Sequence, residues 1–318
     1  MRVANSNFSS FVSGRCEFWT PLQLLSPHFL CIMRILDLLS LSLLFFLCSL
    51  VQSVQQDSDH AYFAICTCVK YEIDIGEWIE YHRLLGTGRF YIWDNSARDY
   101  MDVYNAALPY INTGVVVYER VHLTSLAQRH AYAQCYARYR NNHKFMAFFD
   151  GDEFINIVNK SISINTFLKT YEPYGALGLE WMEYGSSGHI LKPPTGILPN
   201  FHKCHDNNTH VKLIINMEKF DTGKFWNPHQ IMFNNSFYVV DENFKEIISY
   251  ELKYHAREKI YLHHYVLKSC EDFARKHHRG SGWRPDMKGK TWKYFMTVDS
   301  EAIHECEVLK LPEEGTLL

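Results

Sequence analysis

Two aspartates one residue apart, Asp150 and Asp152, follow directly on an apolar run, Phe145-Met146-Ala147-Phe148-Phe149. A run without polar alternation reads as a strand buried on both faces, the kind found inside a parallel sheet. In open α/β sheets ligands bind beyond the carboxyl ends of the strands, which is where this pair falls. Gly151 between them allows a sharp bend, so both carboxylates can converge on a hard divalent cation that takes its remaining ligands from substrate phosphate. The spacing alone is not specific, since Asp57-Ser58-Asp59 repeats it in a polar linker. The buried strand singles out Asp150 and Asp152.

Other segments carry chemical potential only through their position. Glu183-Tyr184-Gly185-Ser186-Ser187-Gly188-His189 puts two glycines around two serines, a loop whose backbone can approach a ligand closely. Ile260 to Val266 reads as a strand, and Ser269 after it as a helix N-cap. The bases that follow, Lys268, Arg275, Lys276 and Arg279, gain meaning if that strand ends beside the acidic pair, because a metal and several cations would then surround a diphosphate. His202, Cys204, His205 and His210 do not match the spacing of a tetrahedral zinc site and are read as a surface loop.

Alternating elements must position these residues. Ala61 to Lys70 reads as a first buried strand, and Asp74-x-x-Glu77 as a capping box. Ile75, Trp78, Ile79, His82 and Leu85 mark the buried face of the helix it opens, with His82 a core residue. Gly86 and Gly88 close that helix, and Arg89 to Trp93 is the next strand, ending in Asp94-Asn95 on the same sheet edge as Asp150. Val115 to Tyr118 is a third strand. Ser125-x-x-Gln128 opens a helix through Tyr139 whose Tyr132, Tyr136 and Tyr139 pack inward. After Glu153, taken as a structural neighbour of the acids, come a helix near Ile162 to Thr170 and a strand from Gly175 to Trp181. Residues 193–235, rich in Pro, Asn and His, read as irregular. The alternation predicts an α/β layer of Rossmann type, mostly parallel and flanked by helices.

With 318 residues, 47% of them hydrophobic, the chain can bury one large core, and a net charge of −3 gives no general signal for nucleic acid or a membrane surface. The expected division is an N-terminal extension, residues 1–56, and one domain, residues 57–318. Residues 38–51 form an uncharged Leu- and Phe-rich run, short for a spanning helix of about 20 residues. It suits either a signal peptide cleaved after Ser53 or an uncleaved type II anchor, with Met33 a compact start. Both deliver the remainder to the secretory lumen, in an ER or Golgi membrane or secreted. Sequons at Asn159, Asn207 and Asn234 agree with that. Six of the nine cysteines lie in the lumenal part, where disulfides are allowed, although Cys66 and Cys68 read as core residues on one strand face.

Taken in order over residues 61–282, these pieces resemble glycosyltransferase family 92 and the related glycosyl-transferase-2-like proteins. The likeness is carried by Ile65-Cys66-Thr67, Glu77 to His82, Tyr91 to Ser96, Asp150 to Ile155, Trp181-x-x-Tyr184 with the glycine loop, and His264-Tyr265-x-x-Lys268-Ser269 through Arg279-Gly280. The resemblance implies a GT-A fold of the nucleotide-diphospho-sugar transferase type, a nucleotide-sugar donor, and Mn2+ or Mg2+ held by Asp150 and Asp152. His264 would reach the metal or diphosphate, and Asp94, Lys268 and Arg279 would meet the donor. Gly185, Ser186, Ser187, Gly188 and His189 would face the acceptor. It further implies inverting transfer of a hexose, usually galactose from UDP-galactose, to a glycan acceptor hydroxyl. Glu183 and Glu271 are the candidate bases. The rival readings are a carbohydrate-binding lumenal module without turnover and a metal-dependent phosphoesterase.

Overall fold

In the computed structural model the described residues are 60–220, 227–233, 236–281 and 290–317. The apolar run at 38–51, the Asp57-Ser58-Asp59 repeat and the sequon asparagine Asn234 lie outside them. Residues 55–318 make up one compact unit. The first half alternates as its sequence pattern requires: β1 (Phe63–Val69), α1 (Ile75–Leu84), β2 (Arg89–Asp94), α2 (Asp102–Asn112), β3 (Val116–Arg120), α3 (Ala127–Tyr139) and β4 (Phe145–Phe148). Their sheet order is β3-β2-β1-β4, and all three pairings are parallel. The carboxyl ends of β1, β2 and β4 therefore share one edge.

Burial explains why these strands are uninterrupted apolar runs. Phe63 and Ile65 of β1 pack with Trp78 and Ile79 of α1 and Val103 of α2, while Ala64 and Cys66 pack on the other face with Tyr132 and Tyr136 of α3. The tyrosine stripe of α3 is packing surface, as expected. The same contact corrects the reading of Cys66 as a plain core residue: Cys135 on α3 faces it, and the two form a disulfide. Closing a loop of this length contributes about 2–4 kcal/mol. Replacing both cysteines with alanine is expected to cost that much, read from urea denaturation under non-reducing conditions.

Beyond β4 the sheet turns antiparallel through β8 (Val211–Asn216), which lies between β4 and the long strand β6 (Ala176–Tyr184). Before β6 come β5 (Glu153–Ile157) and the short helix α4 (Ile164–Leu168). The irregular reading of residues 193–235 needs correction here. Val211–Asn216 is a fully buried central strand, and β7 (Lys203–His205) pairs with the end of β6. Beside β6, β9 (Val239–Val240) and then the edge strand β10 (Glu246–Ile247) complete the large sheet. A second sheet grows from the far end of β6: β11 (Ile260–His264) pairs parallel to β6 and antiparallel to β5. The helices α5 (Cys270–Arg279) and α6 (Trp292–Glu301) and the strand β12 (His304–Glu305) follow, and Cys204 of β7 is disulfide-bonded to Cys306 just after β12.

Two helix starts also differ from expectation. Asp74 is the N-cap of α1, but its side chain makes no cap bond, and Glu77 instead accepts from the backbone of Ile197 and Leu198 at 2.5 and 3.1 Å. Asp74 is drawn away by Lys192 and Lys268. At α3, Leu126 in the left-handed region is the N-cap, and Gln128 turns toward Asp150. In both cases a charged or polar tertiary partner outcompetes a cap worth about 1 kcal/mol. The predicted cap at Ser269 does form, with Asp272 completing a capping box.

Candidate active site

The shared edge opens into a cleft of about 330 Å3. Asp150, Asp152 and His264 all line it, together with Cys68, Asn95, Gln128, Trp181, Lys276, Arg279 and Lys290. Asp150 arrives from the end of β4. Asp152 sits where the chain turns into β5, its carbonyl accepting from the Tyr265 backbone at 2.9 Å. His264 ends β11, and the strand register sets it beside Glu153 of β5 and Glu183 of β6. Two segments distant in sequence, the turn from β4 into β5 and the end of β11, thus bring the acids and the imidazole together.

Each acid has a cation. The Lys212 ammonium on β8, completely buried, donates to Asp150 at 3.1 Å and stands 3.2 Å from Glu153. Lys276 of α5 donates to Asp152 and, at 3.0 Å, to the Val266 carbonyl. Burial opposes ionisation of both aspartates, but Lys212 beside Asp150, and Lys276 with His264 beside Asp152, outweigh it and hold both below the usual carboxylate range. Glu153 behaves oppositely. Burial, only partly offset by Lys212 and reinforced by the two aspartates, pushes it up to about 8. One lysine thus faces two carboxyls, and the ionised role falls to Asp150.

Burial lowers His264 to about 3, so its ring is neutral near pH 7 and keeps a lone pair. His82 and His229 are likewise pushed down to about 3, chiefly by burial, and His263 well below its ordinary value. These folded-state values lie below the unfolded value near 6.5, so the unfolded chain takes up the extra protons as pH falls. Stability is complete above about pH 6.5 and is lost toward pH 3, by up to about 1.4 kcal/mol per pH unit for each histidine. Denaturant titrations at pH 7, 6 and 5 should show this slope, and His82→Gln should reduce it by one histidine's share.

Arg279 lines the cleft, and its guanidinium and carbonyl exchange hydrogen bonds with the Lys70 carbonyl and ammonium. Asp94 stands behind the cleft wall. It accepts from the Ser96 backbone at 2.8 Å and from the Tyr118 hydroxyl at 2.5 Å, and its neighbour Asn95 lines the cleft instead. Lys268 is committed to Glu72 and Asp74, at 2.5 and 3.0 Å, so its charge is spent within the protein. Gly185, Ser186, Ser187, Gly188 and His189 do not line the cleft. Ser186 N–H donates to Asp299, Ser187 Oγ accepts from the backbone of His202 and Lys203, and the His189 carbonyl accepts from Cys270. The loop clasps α5, α6 and β7 together.

Neither candidate base reaches the cleft. Glu271 is exposed on α5, where it pairs with Arg275 at 3.4 Å and accepts from the Lys192 backbone. Glu183 is buried behind His264. Burial opposes its charge, but His205, His264 and Lys290 prevail and hold it well below the usual range.

Sequence reasoning passed over Lys212, Lys290 and Gln128. For Lys212 a signal was present: one charge inside Val211-Lys212-Leu213-Ile214-Ile215 requires a buried partner. His205 and Cys204, read as surface loop, are buried in β7.

The donor set suits a hard cation. Asp150 and Asp152 supply oxygens, and His264 Nε2 lies 3.8 Å from Asp152 Oδ1. Among the described residues no group of three His, Cys, Asp or Glu side chains is close enough to hold a metal by itself. An ion that completes its shell with substrate phosphate needs no such group.

The sequence profile of glycosyltransferase family 92 matches residues 62–295, which include every residue of this cleft. The chain belongs to glycosyltransferase family 92. Its α/β layer agrees with the GT-A type expected. A family 92 protein of Ricinus communis is similar in two curated matches that carry the same name, at 24% identity over 184 residues and 25% over 202 residues, or 54% and 57% of this chain. The chain spans about a third of these relatives, 32% and 36% of their lengths. Two crystal structures of S. aureus TarS 1–349, the second in complex with UDP, give TM-scores of 0.30 and 0.28 at 10% and 12% identity. These overlays cover 49% of this chain and 47% and 46% of theirs.

Proposed function

We propose that this family 92 chain transfers a hexose, galactose first among the candidates, from a UDP-sugar to a hydroxyl of a glycan acceptor, with inversion and with Mn2+ or Mg2+. The observation that carries the reading is the meeting of Asp150, Asp152 and His264 with Lys276, Arg279 and Lys290 in one cleft. Acids that attract a cation, beside bases that attract an anion, suit a metal-bound diphosphate. Asp150, Asp152 and His264 would hold the ion, which when bound supplies Lewis-acid stabilisation of the departing nucleotide. The chain's own part is to orient and neutralise. Arg279 and Lys290 draw the diphosphate in, Lys276 balances charge next to Asp152, and the buried Lys212 keeps Asp150 ionised. An acceptor hydroxyl held in line with the leaving diphosphate would then form the new bond at the anomeric carbon as the bond to the diphosphate breaks, its proton passing to water or to the departing diphosphate.

A lumenal setting is part of the same proposal, with the N-terminal segment either cleaved or retained as an anchor. It is supported by the disulfides Cys66–Cys135 and Cys204–Cys306 and by the exposure of Asn159 and Asn207. Among the described residues no helix is long and apolar enough to cross a membrane.

The test is UDP release from a panel of UDP-sugars with a mixed glycan acceptor. Release is expected to require Mn2+ or Mg2+, to stop with EDTA, and to return when the ion is restored. Glycan binding with no release from any donor would favour the module without turnover, and phosphoester cleavage without sugar transfer the phosphoesterase.

A further inference from the structure

Glu183 of β6 is a buried carboxylate that the transfer reaction does not reach, yet three other elements converge on it. The parallel register of β11 with β6 sets it beside His264, and its Oε1 lies 3.6 Å from His264 Nδ1. Tyr294 of α6 donates its hydroxyl to the same oxygen at 3.2 Å. His205 of β7, a strand tied by the Cys204–Cys306 disulfide, brings Nε2 to within 3.3 Å of Oε2. The Tyr294 bond thus holds one oxygen, while His205 Nε2 stands beside the other without a hydrogen bond and Trp181 packs its ring 4.3 Å from that of His264.

His264 Nδ1 is buried and makes no hydrogen bond. The carboxylate oxygen is the charged atom facing it. A lone pair on Nδ1 would be repelled by that oxygen, whereas an N–H would be attracted, so the proton belongs on Nδ1. The lone pair then lies on Nε2, which looks toward Asp152 at 3.8 Å. A histidine that ligates a metal generally gives its other ring N–H to a carboxylate, which sets its tautomer and orientation.

We propose that Glu183, braced by His205 and Tyr294, is a positioning residue that fixes the tautomer and tilt of His264 so that Nε2 offers its lone pair beside Asp152. It is not the base that deprotonates the acceptor. This rests on the reading of His264 as a ligand of the donor's cation.

The test uses the full chain with 15N-labelled histidine rings and compares wild type, Glu183→Gln and Glu183→Ala, with His264→Gln to identify the His264 signals. In metal-free wild type, long-range 1H–15N correlations should show His264 as the Nδ1–H tautomer. In Glu183→Gln, which keeps the side-chain volume, they should show a mixture or the Nε2–H form. Mn2+ affinity, read by electron paramagnetic resonance with UDP present, should fall by about 10–100-fold in both variants. An unchanged tautomer in a folded Glu183→Gln protein overturns the proposal, even if Mn2+ binding weakens, because Glu183 would then act by charge alone. A changed tautomer with Mn2+ affinity within about twofold of wild type overturns it as well. If wild type binds no Mn2+ while the tautomer shifts in Glu183→Gln, the positioning role stands and the metal reading falls.

Discussion

Asp152→Asn is expected to lower UDP release by about 10²–10³ while leaving the protein folded, with a change in Tm of at most about 2–4 °C. Asparagine preserves the volume of the side chain, and the backbone that anchors β5 is untouched, since the Tyr265 N–H bonds to the carbonyl of residue 152. What is lost is a negative charge that burial would suppress but that Lys276 keeps ionised. Losing one preorganised electrostatic group of a catalytic site typically costs this much in rate. Lys276 retains the Val266 carbonyl as a partner and is partly exposed, so removing Asp152 does not strand a buried charge. Activity and Tm should therefore separate. If Asp152→Asn turns over donor at nearly the wild-type rate, the assignment of this acid to the cation and diphosphate fails.

Lys212→Met is expected to show the opposite separation, with a large loss of stability before any statement about rate can be made. Lys212 is completely buried in β8 and is the cationic partner of both Asp150 and Glu153. Breaking a fully buried ion pair by deleting one member costs about 3–5 kcal/mol. Asp150 keeps water on its cleft side, its side chain 35% exposed, so the cost is expected at the low end, about 3 kcal/mol. For a domain of this size that is a drop of ~10 °C in Tm. Glu153→Gln should be nearly neutral by comparison, since burial already favours the uncharged carboxyl there. Thermal melts of the two variants side by side check the pair. Equal losses would mean that Glu153, not Asp150, carries the charge that Lys212 balances.

The capping box at Asp74 and the loop at Gly185 to His189 show how far local patterns reach. Ser269 capped its helix as its sequence suggests, because no stronger partner competes. Asp74 and Glu77 had the right types and spacing, yet Lys268 and the backbone of residues 197–198 claimed them. The glycine loop had the composition of a ligand-binding turn, but its polar groups are spent on Asp299, His202 and Lys203. Such competition is decided by segments from 15 to nearly 200 residues away, beyond the few residues of a cap or turn pattern.

Periodicity and the unbroken apolar runs were enough to specify the strand–helix alternation from β1 to β4 and to put Asp150 and Asp152 at a ligand-bearing edge, because solvent exclusion acts on every residue of a buried strand alike. The family motifs, spread in order along the chain, were legible for the same reason: they are strings. What the tertiary structure alone decided is which charges meet. Lys212 to Asp150, Lys276 to Asp152, Glu183 to His264 and Cys66 to Cys135 are pairings across strand registers and helix faces. Their energies depend on burial and separation in space, and neither quantity is written in spacing along the chain.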